Sequence, residues 1–173
     1  MKRLAVRTAA AALACATTAA IAYATAAAVW PDHHDAPAKA ASATDVLGRE
    51  AGAGSLRLLA FLATQPDTAA TTARSQAVDL VSLQTQYGAK GLTTQIIDES
   101  GAGRDALTNT YYDWQLGGVL LAADPARALA RQYDVTLTPT VVLLDAAGTV
   151  IKRWDTPVRT VQAAPVIAGK LTG

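Results

Sequence analysis

From Leu56 onward the chain alternates short apolar runs with longer stretches of helical periodicity, and it closes on two strand-length runs joined by a tight turn. That order restricts the fold more than any single motif does. Strands that alternate with helices are buried between them, so the pattern predicts a three-layer α/β sandwich with a mixed central sheet. Leu56 to Ala63 (LRLLAFLA) is almost wholly apolar, as a strand covered on both faces requires. The polar stretch Thr64 to Thr72 reads as a loop. Ala73 to Tyr87 then sets Ala77, Leu80, Leu83 and Tyr87 on one helical face, with Gly88 as the stop.

Leu92 to Asp98 is the second strand, and Gly101 to Gly103 opens a loop. Arg104 to Trp114 aligns Leu107, Tyr111 and Trp114 as a helix, and Val119 to Leu121 is a short third strand. Asp124-Pro125 is a helix start, with aspartate as the cap and proline in the first turn, and it turns Leu129 and Tyr133 inward. Val141 to Leu144, the turn Asp145 to Gly148, and Thr149 to Trp154 form a hairpin. A last helix spans about Pro157 to Leu171, where Pro165 is expected to kink or split it, because proline removes a helix hydrogen bond.

The N-terminus has a different character. Lys2, Arg3 and Arg7 precede an uncharged run from Thr8 to Trp30, which is the layout of a signal sequence, and small-residue cleavage patterns follow at Ala22 to Ala28. The run is also long enough to span a bilayer, so residues 1–28 read either as a signal peptide or as a membrane anchor through residues 8–30. Leu13, Ile21 and Val29 are its only strong aliphatics, which favours cleavage. A third reading takes Cys15 as a lipidated residue, but the apolar stretch before it is short. Whether the segment is cleaved or anchored, the basic residues stay on the cytoplasmic side, so the expectation is an extracytoplasmic domain, secreted or held at the outer face of the cytoplasmic membrane. Residues 29–54 read as a flexible linker, and 55–173 as the folded domain.

Charge and sulfur narrow the chemistry. Once Lys2, Arg3 and Arg7 are set aside, 12 basic and 14 acidic residues remain, and no Lys/Arg cluster is present to hold a phosphate backbone. Nucleic-acid binding is therefore not expected. Cys15 is the only cysteine, which rules out an intramolecular disulfide and a cysteine-based zinc site. Asp32, His33, His34 and Asp35 form the only His/carboxylate cluster. Adjacent residues on a linker rarely close a coordination sphere, so His33 and His34 are a weak metal candidate, and no cofactor is expected.

The stretch from Val119 to Trp154 carries Asp124-Pro125, Tyr133-Asp134-Val135, Thr138-Pro139-Thr140, and Asp145 to Gly148 with Val150. In that order it resembles the C-terminal half of redoxin and TlpA-type (AhpC/TSA-like) thioredoxin-like domains. Upstream, Phe61 to Thr64 resembles the strand leading into that family's active site, and Arg74 to Tyr87 with Gly91-Leu92 its first helix and second strand. The resemblance spans roughly Ser55 to Leu171. It implies a thioredoxin-like α/β/α sandwich and, taken alone, a thiol-disulfide oxidoreductase or peroxidase.

The departure from the family lies between strand and helix, where its members keep a Cys-x-x-Cys pair. Counted from the helix side, those positions fall on Ala70 and Ala73; counted from the strand side, on Pro66 and Ala69. Neither register supplies a sulfur. The hydroxyls of Thr68, Thr71 and Thr72 cannot form or exchange a disulfide, and no histidine after His34 is present to activate them. The resemblance also implies a cis proline at Thr138-Pro139, next to backbone that pairs with an extended peptide. The expected function is therefore a non-catalytic binding or accessory domain for an extended peptide or protein. Its groove is expected between Thr64, Pro66, Ala70, Thr72 and Ala73 on one side and Thr138-Pro139 on the other.

Overall fold

The computed structural model describes residues 43–52, 56–65 and 67–172. In chain order its elements are β1 (Leu56–Leu62), α1 (Asp67–Tyr87), β2 (Leu92–Asp98), α2 (Arg104–Asp113), β3 (Leu120–Ala123), α3 (Ala128–Gln132), β4 (Thr140–Leu144), β5 (Val150–Trp154) and α4 (Thr160–Leu171). The strands form one sheet in the order β3-β2-β1-β4-β5. β1, β2 and β3 run parallel, while β4 and β5 are antiparallel to their neighbours, so the sheet is mixed.

β1 is central because all seven of its residues are buried, and its side chains alternate between the two faces of the sheet. Leu58, Ala60 and Leu62 pack with Leu80 and Leu83 of α1, Leu107 of α2 and Ile167 of α4. Leu59 and Phe61 point the other way, onto Leu129 of α3 and Tyr133 just after it. Helices α1 and α2 each connect parallel strands that step in the same direction across the sheet, which sets both on one face. After β3 the chain crosses back beyond β1 to β4, and α3 covers the opposite face. This is the expected three-layer sandwich.

Several boundaries differ from the sequence reading. α1 begins at Asp67, so Thr68 to Thr72 are helical and only residues 63–66 connect β1 to it. None of its side chains from Thr68 to Thr72 is fully buried, so no apolar stripe marked this stretch as helix. At the other end Gly88 enters a short 3-10 turn, and Gly91 takes the left-handed conformation (φ 105) that ends the helical path. Asp124 does cap a helix, but from further away. Its carboxylate accepts the amides of Ala128 and Ala130 at 2.7 and 2.9 Å, across a turn that contains Pro125. α4 starts at Thr160 and runs unbroken through Pro165. The carbonyl deprived of its donor is that of Val161, a residue 80% exposed, where water is at hand.

The linker expected to reach residue 54 is corrected at its C-terminal end. Asp45 and Val46 are buried, and the Val46 amide donates to the Leu121 carbonyl at 2.8 Å along the outer edge of β3. Arg49 fixes this segment: it pairs with Asp45 at 2.6 Å, donates to the Val119 carbonyl at 3.1 Å, and lies 5.1 Å over the Tyr111 ring. An edge strand is thereby covered, which small and polar residues do not announce in a sequence. The signal or anchor segment, Cys15, and the cluster Asp32 to Asp35 lie outside the described residues. Among the described residues, no helix is long and apolar enough to cross a membrane, and no group of three metal-ligating side chains occurs.

Candidate functional site

The C-terminal end of β1, the start of α1 and the turn before β4 meet at one end of the sheet. They enclose an open depression of about 150 Å³. Leu62 and Ala63 form its floor, Ala69, Thr72 and Ala73 its helical wall, and Thr138 with Pro139 its far wall. The Thr138-Pro139 peptide is cis. Among the described residues its lining carries no charged side chain and no sulfur.

Four of the expected groove residues, Thr72, Ala73, Thr138 and Pro139, come together here. The placement of Pro66 lies outside the described residues. Ala70 is not part of the lining; Ala69 takes that place, because the helix begins early enough to turn the preceding alanine inward. Each register of the family's cysteine pair thus places one position on the lining, Ala69 in the strand-side register and Ala73 in the helix-side one.

Thr64 is also absent from the lining. It is buried, and its amide and hydroxyl both donate to Asp98 Oδ1, at 3.0 and 2.8 Å. The same carboxylate accepts the Ser100 hydroxyl at 2.8 Å and the Ala102 amide at 3.2 Å. Asp98 thus ties the end of β1 to the loop after β2, directly behind the depression. Next to it, burial pushes the Glu99 carboxyl above its ordinary value, the Arg127 guanidinium at 2.6 Å opposes the shift, and Asp124 and Asp98 add to it.

The open wall offers backbone as well as surface. Among the described residues neither the amide nor the carbonyl of Thr138 has a hydrogen-bond partner. Leu137, just before it, is 66% exposed and gives its carbonyl to the Thr140 hydroxyl at 2.8 Å. Beneath α1 the fully buried side-chain amide of Gln76 donates to the Val158 carbonyl at 2.8 Å and accepts the Val158 amide at 2.6 Å. A second depression, of about 260 Å³, lies on the other side of Thr72, where Ser75, Asp79, Pro157 and Arg159 contribute to its walls. Neither Gln76 nor this second depression was singled out from the sequence, since each joins residues far apart in the chain.

No family model matches the sequence, and no curated protein matches it. Solved structures do match its backbone. A putative thiol:disulfide interchange protein DsbE from Chlorobium tepidum is 22% identical, with a TM-score of 0.63 over 80% of this chain and 99% of that one. A putative thioredoxin from Neisseria meningitidis is 16% identical, with a TM-score of 0.66 over 79% of this chain and 91% of that one. The fold is thioredoxin-like. The exposed lipoprotein thioredoxin Etrx1 of Streptococcus pneumoniae shares it, at 15% identity and a TM-score of 0.60 over 75% of this chain and 98% of that one. At these identities the likeness concerns the fold alone. This thioredoxin-like chain differs from the chemistry those names describe in its sulfur content, with Cys15 as its single cysteine.

Proposed function

We propose that the protein is an exported thioredoxin-like domain that binds an extended peptide or protein segment without redox catalysis, at the depression between α1 and Thr138-Pro139. The observation that carries this reading is the backbone of Thr138, unpaired among the described residues, beside a hollow whose described lining holds no charge and no sulfur. An extended segment lying along Thr138 would pair with that backbone, as strand addition does at an open edge, and would place one side chain in the hollow. Dithiol–disulfide exchange needs a thiolate to attack and a second sulfur to resolve the mixed disulfide, and Cys15 alone cannot supply both. The charged start of the chain, followed by its uncharged run, supports a location outside the cytoplasmic membrane, as does the description of the pneumococcal neighbour as an exposed lipoprotein.

The rival reading is a thiol-disulfide oxidoreductase, as the names of the structural neighbours suggest. One pair of assays separates the two. Labelled peptides are titrated into the folded chain and into Ala69→Trp, which fills the hollow, and both proteins are assayed for insulin-disulfide reduction. Binding that Ala69→Trp weakens tenfold or more, with no reductase turnover in either protein, is the expected result. Turnover by the chain, or peptide binding indifferent to the filled hollow, contradicts it.

A further inference from the structure

Thr72 lines two depressions. The first, about 150 Å³, is walled by Leu, Ala, Thr and Pro. The second, about 260 Å³, includes two charged residues in its walls, Asp79 and Arg159. The two charges are committed to different degrees. Asp79 Oδ1 accepts the Thr160 amide at 2.9 Å and the Thr160 hydroxyl at 2.8 Å, so this carboxylate caps the start of α4. Arg159 Nε lies 3.9 Å from Asp79 Oδ2, too far for a hydrogen bond, and its side chain is 71% exposed. The amide of Gln76, which also lines this depression, has both its polar atoms on Val158. The guanidinium of Arg159 is therefore the group here with the most capacity left for a ligand.

The two hollows also differ in what they admit. A charged side chain entering the first meets no opposite charge among its described lining residues, whereas a small aliphatic one needs none. In an extended peptide, alternate side chains lie on one face at roughly 6.5 to 7 Å intervals. Thr72 lines both hollows, so a segment with one side chain in the first can direct another on the same face toward the second.

We infer that the ligand segment carries a small aliphatic side chain and, two residues from it, a carboxylate that pairs with Arg159. This rests on the peptide-binding reading above and deepens it by naming the sequence class that binds. The probe is a fluorescein-labelled synthetic peptide of serine and threonine with a central valine and a glutamate two residues to either side. This symmetric design serves both chain directions. Its glutamine and lysine counterparts are the comparison set.

With the full chain, the glutamate peptide is expected to bind about three- to fivefold more tightly than the glutamine one, the range of a solvent-accessible charge pair. The lysine peptide is expected to be weakest, and added salt to narrow the differences. Arg159→Gln removes the preference and Arg159→Glu reverses it, a reversal that a merely unstable variant does not produce. Equal affinity for the three peptides overturns this inference and leaves the binding reading intact. Failure of the folded chain to bind any of them, with Ala69→Trp no different, overturns both.

Discussion

Gln76 holds the backbone of Val158 by both ends of its side-chain amide, at 2.8 and 2.6 Å. This two-point contact ties the middle of α1 to the segment that enters α4, and Gln76 also lines the second depression. Gln76→Leu keeps the volume but leaves a buried amide and a buried carbonyl unpaired. Each costs about 1 to 3 kcal/mol, so chemical denaturation is expected to show a loss of roughly 2 to 6 kcal/mol. A loss under about 0.5 kcal/mol, the range of ordinary surface substitutions, would mean the contact contributes little.

How much of this was readable beforehand follows from the kind of signal each residue leaves. The strands and the order of the layers were legible because β1, β2 and β4 are apolar runs with turn residues between them. Thr138-Pro139 was legible through the motif around it. The start of α1 was not, since Thr68 to Thr72 face the groove and solvent and so lack the stripe that marks a buried helix face. Gln76, Asp98 and Arg49 were missed for another reason. Each acts through a partner 34 to 82 positions away in sequence, and polar residues in apolar segments carry no periodic trace of such partners.

Asp98 positions the floor of the groove. Its carboxylate takes four donors, two of them from Thr64, which follows the lining residue Ala63. Asp98→Asn turns one acceptor oxygen into a donor, facing groups that are themselves donors. Denaturation is expected to show a loss of about 2 to 4 kcal/mol. Peptide affinity is expected to fall in the same variant when measured where it remains folded. Unchanged stability would show that the loop does not depend on this carboxylate.

Glu99 gives the protein a particular pH signature. Burial raises its carboxyl above the ordinary 4.5, so the folded state holds this proton more tightly than the unfolded chain does. Its contribution to stability is thus full below about pH 4.5, and is lost as pH rises through the folded-state value. Because other carboxylates titrate nearby, the readout is the difference between wild type and Glu99→Gln across that window. Wild-type stability is expected to decline relative to the variant as pH rises. A constant difference, or one of opposite slope, would contradict the assignment.

Arg49 fastens the segment before β1 to the edge of β3. Arg49→Gln removes the ion pair with Asp45, whose side chain is buried, and the bond to the Val119 carbonyl. A loss of about 1 to 3 kcal/mol is expected, together with faster proteolysis within residues 43–52 at native pH. Equal cleavage rates in the two proteins would show that the segment stays docked without this side chain.

The central claim is that a peptide pairs with the backbone of Thr138, and amide hydrogen exchange at that one residue tests it most directly. Without ligand the Thr138 amide has no partner among the described residues, so it is expected to exchange quickly. Saturation with the glutamate-flanked valine peptide is expected to slow its exchange at least tenfold while leaving the amides of α2 unaffected. Saturable binding with Thr138 exchange unchanged would contradict the account.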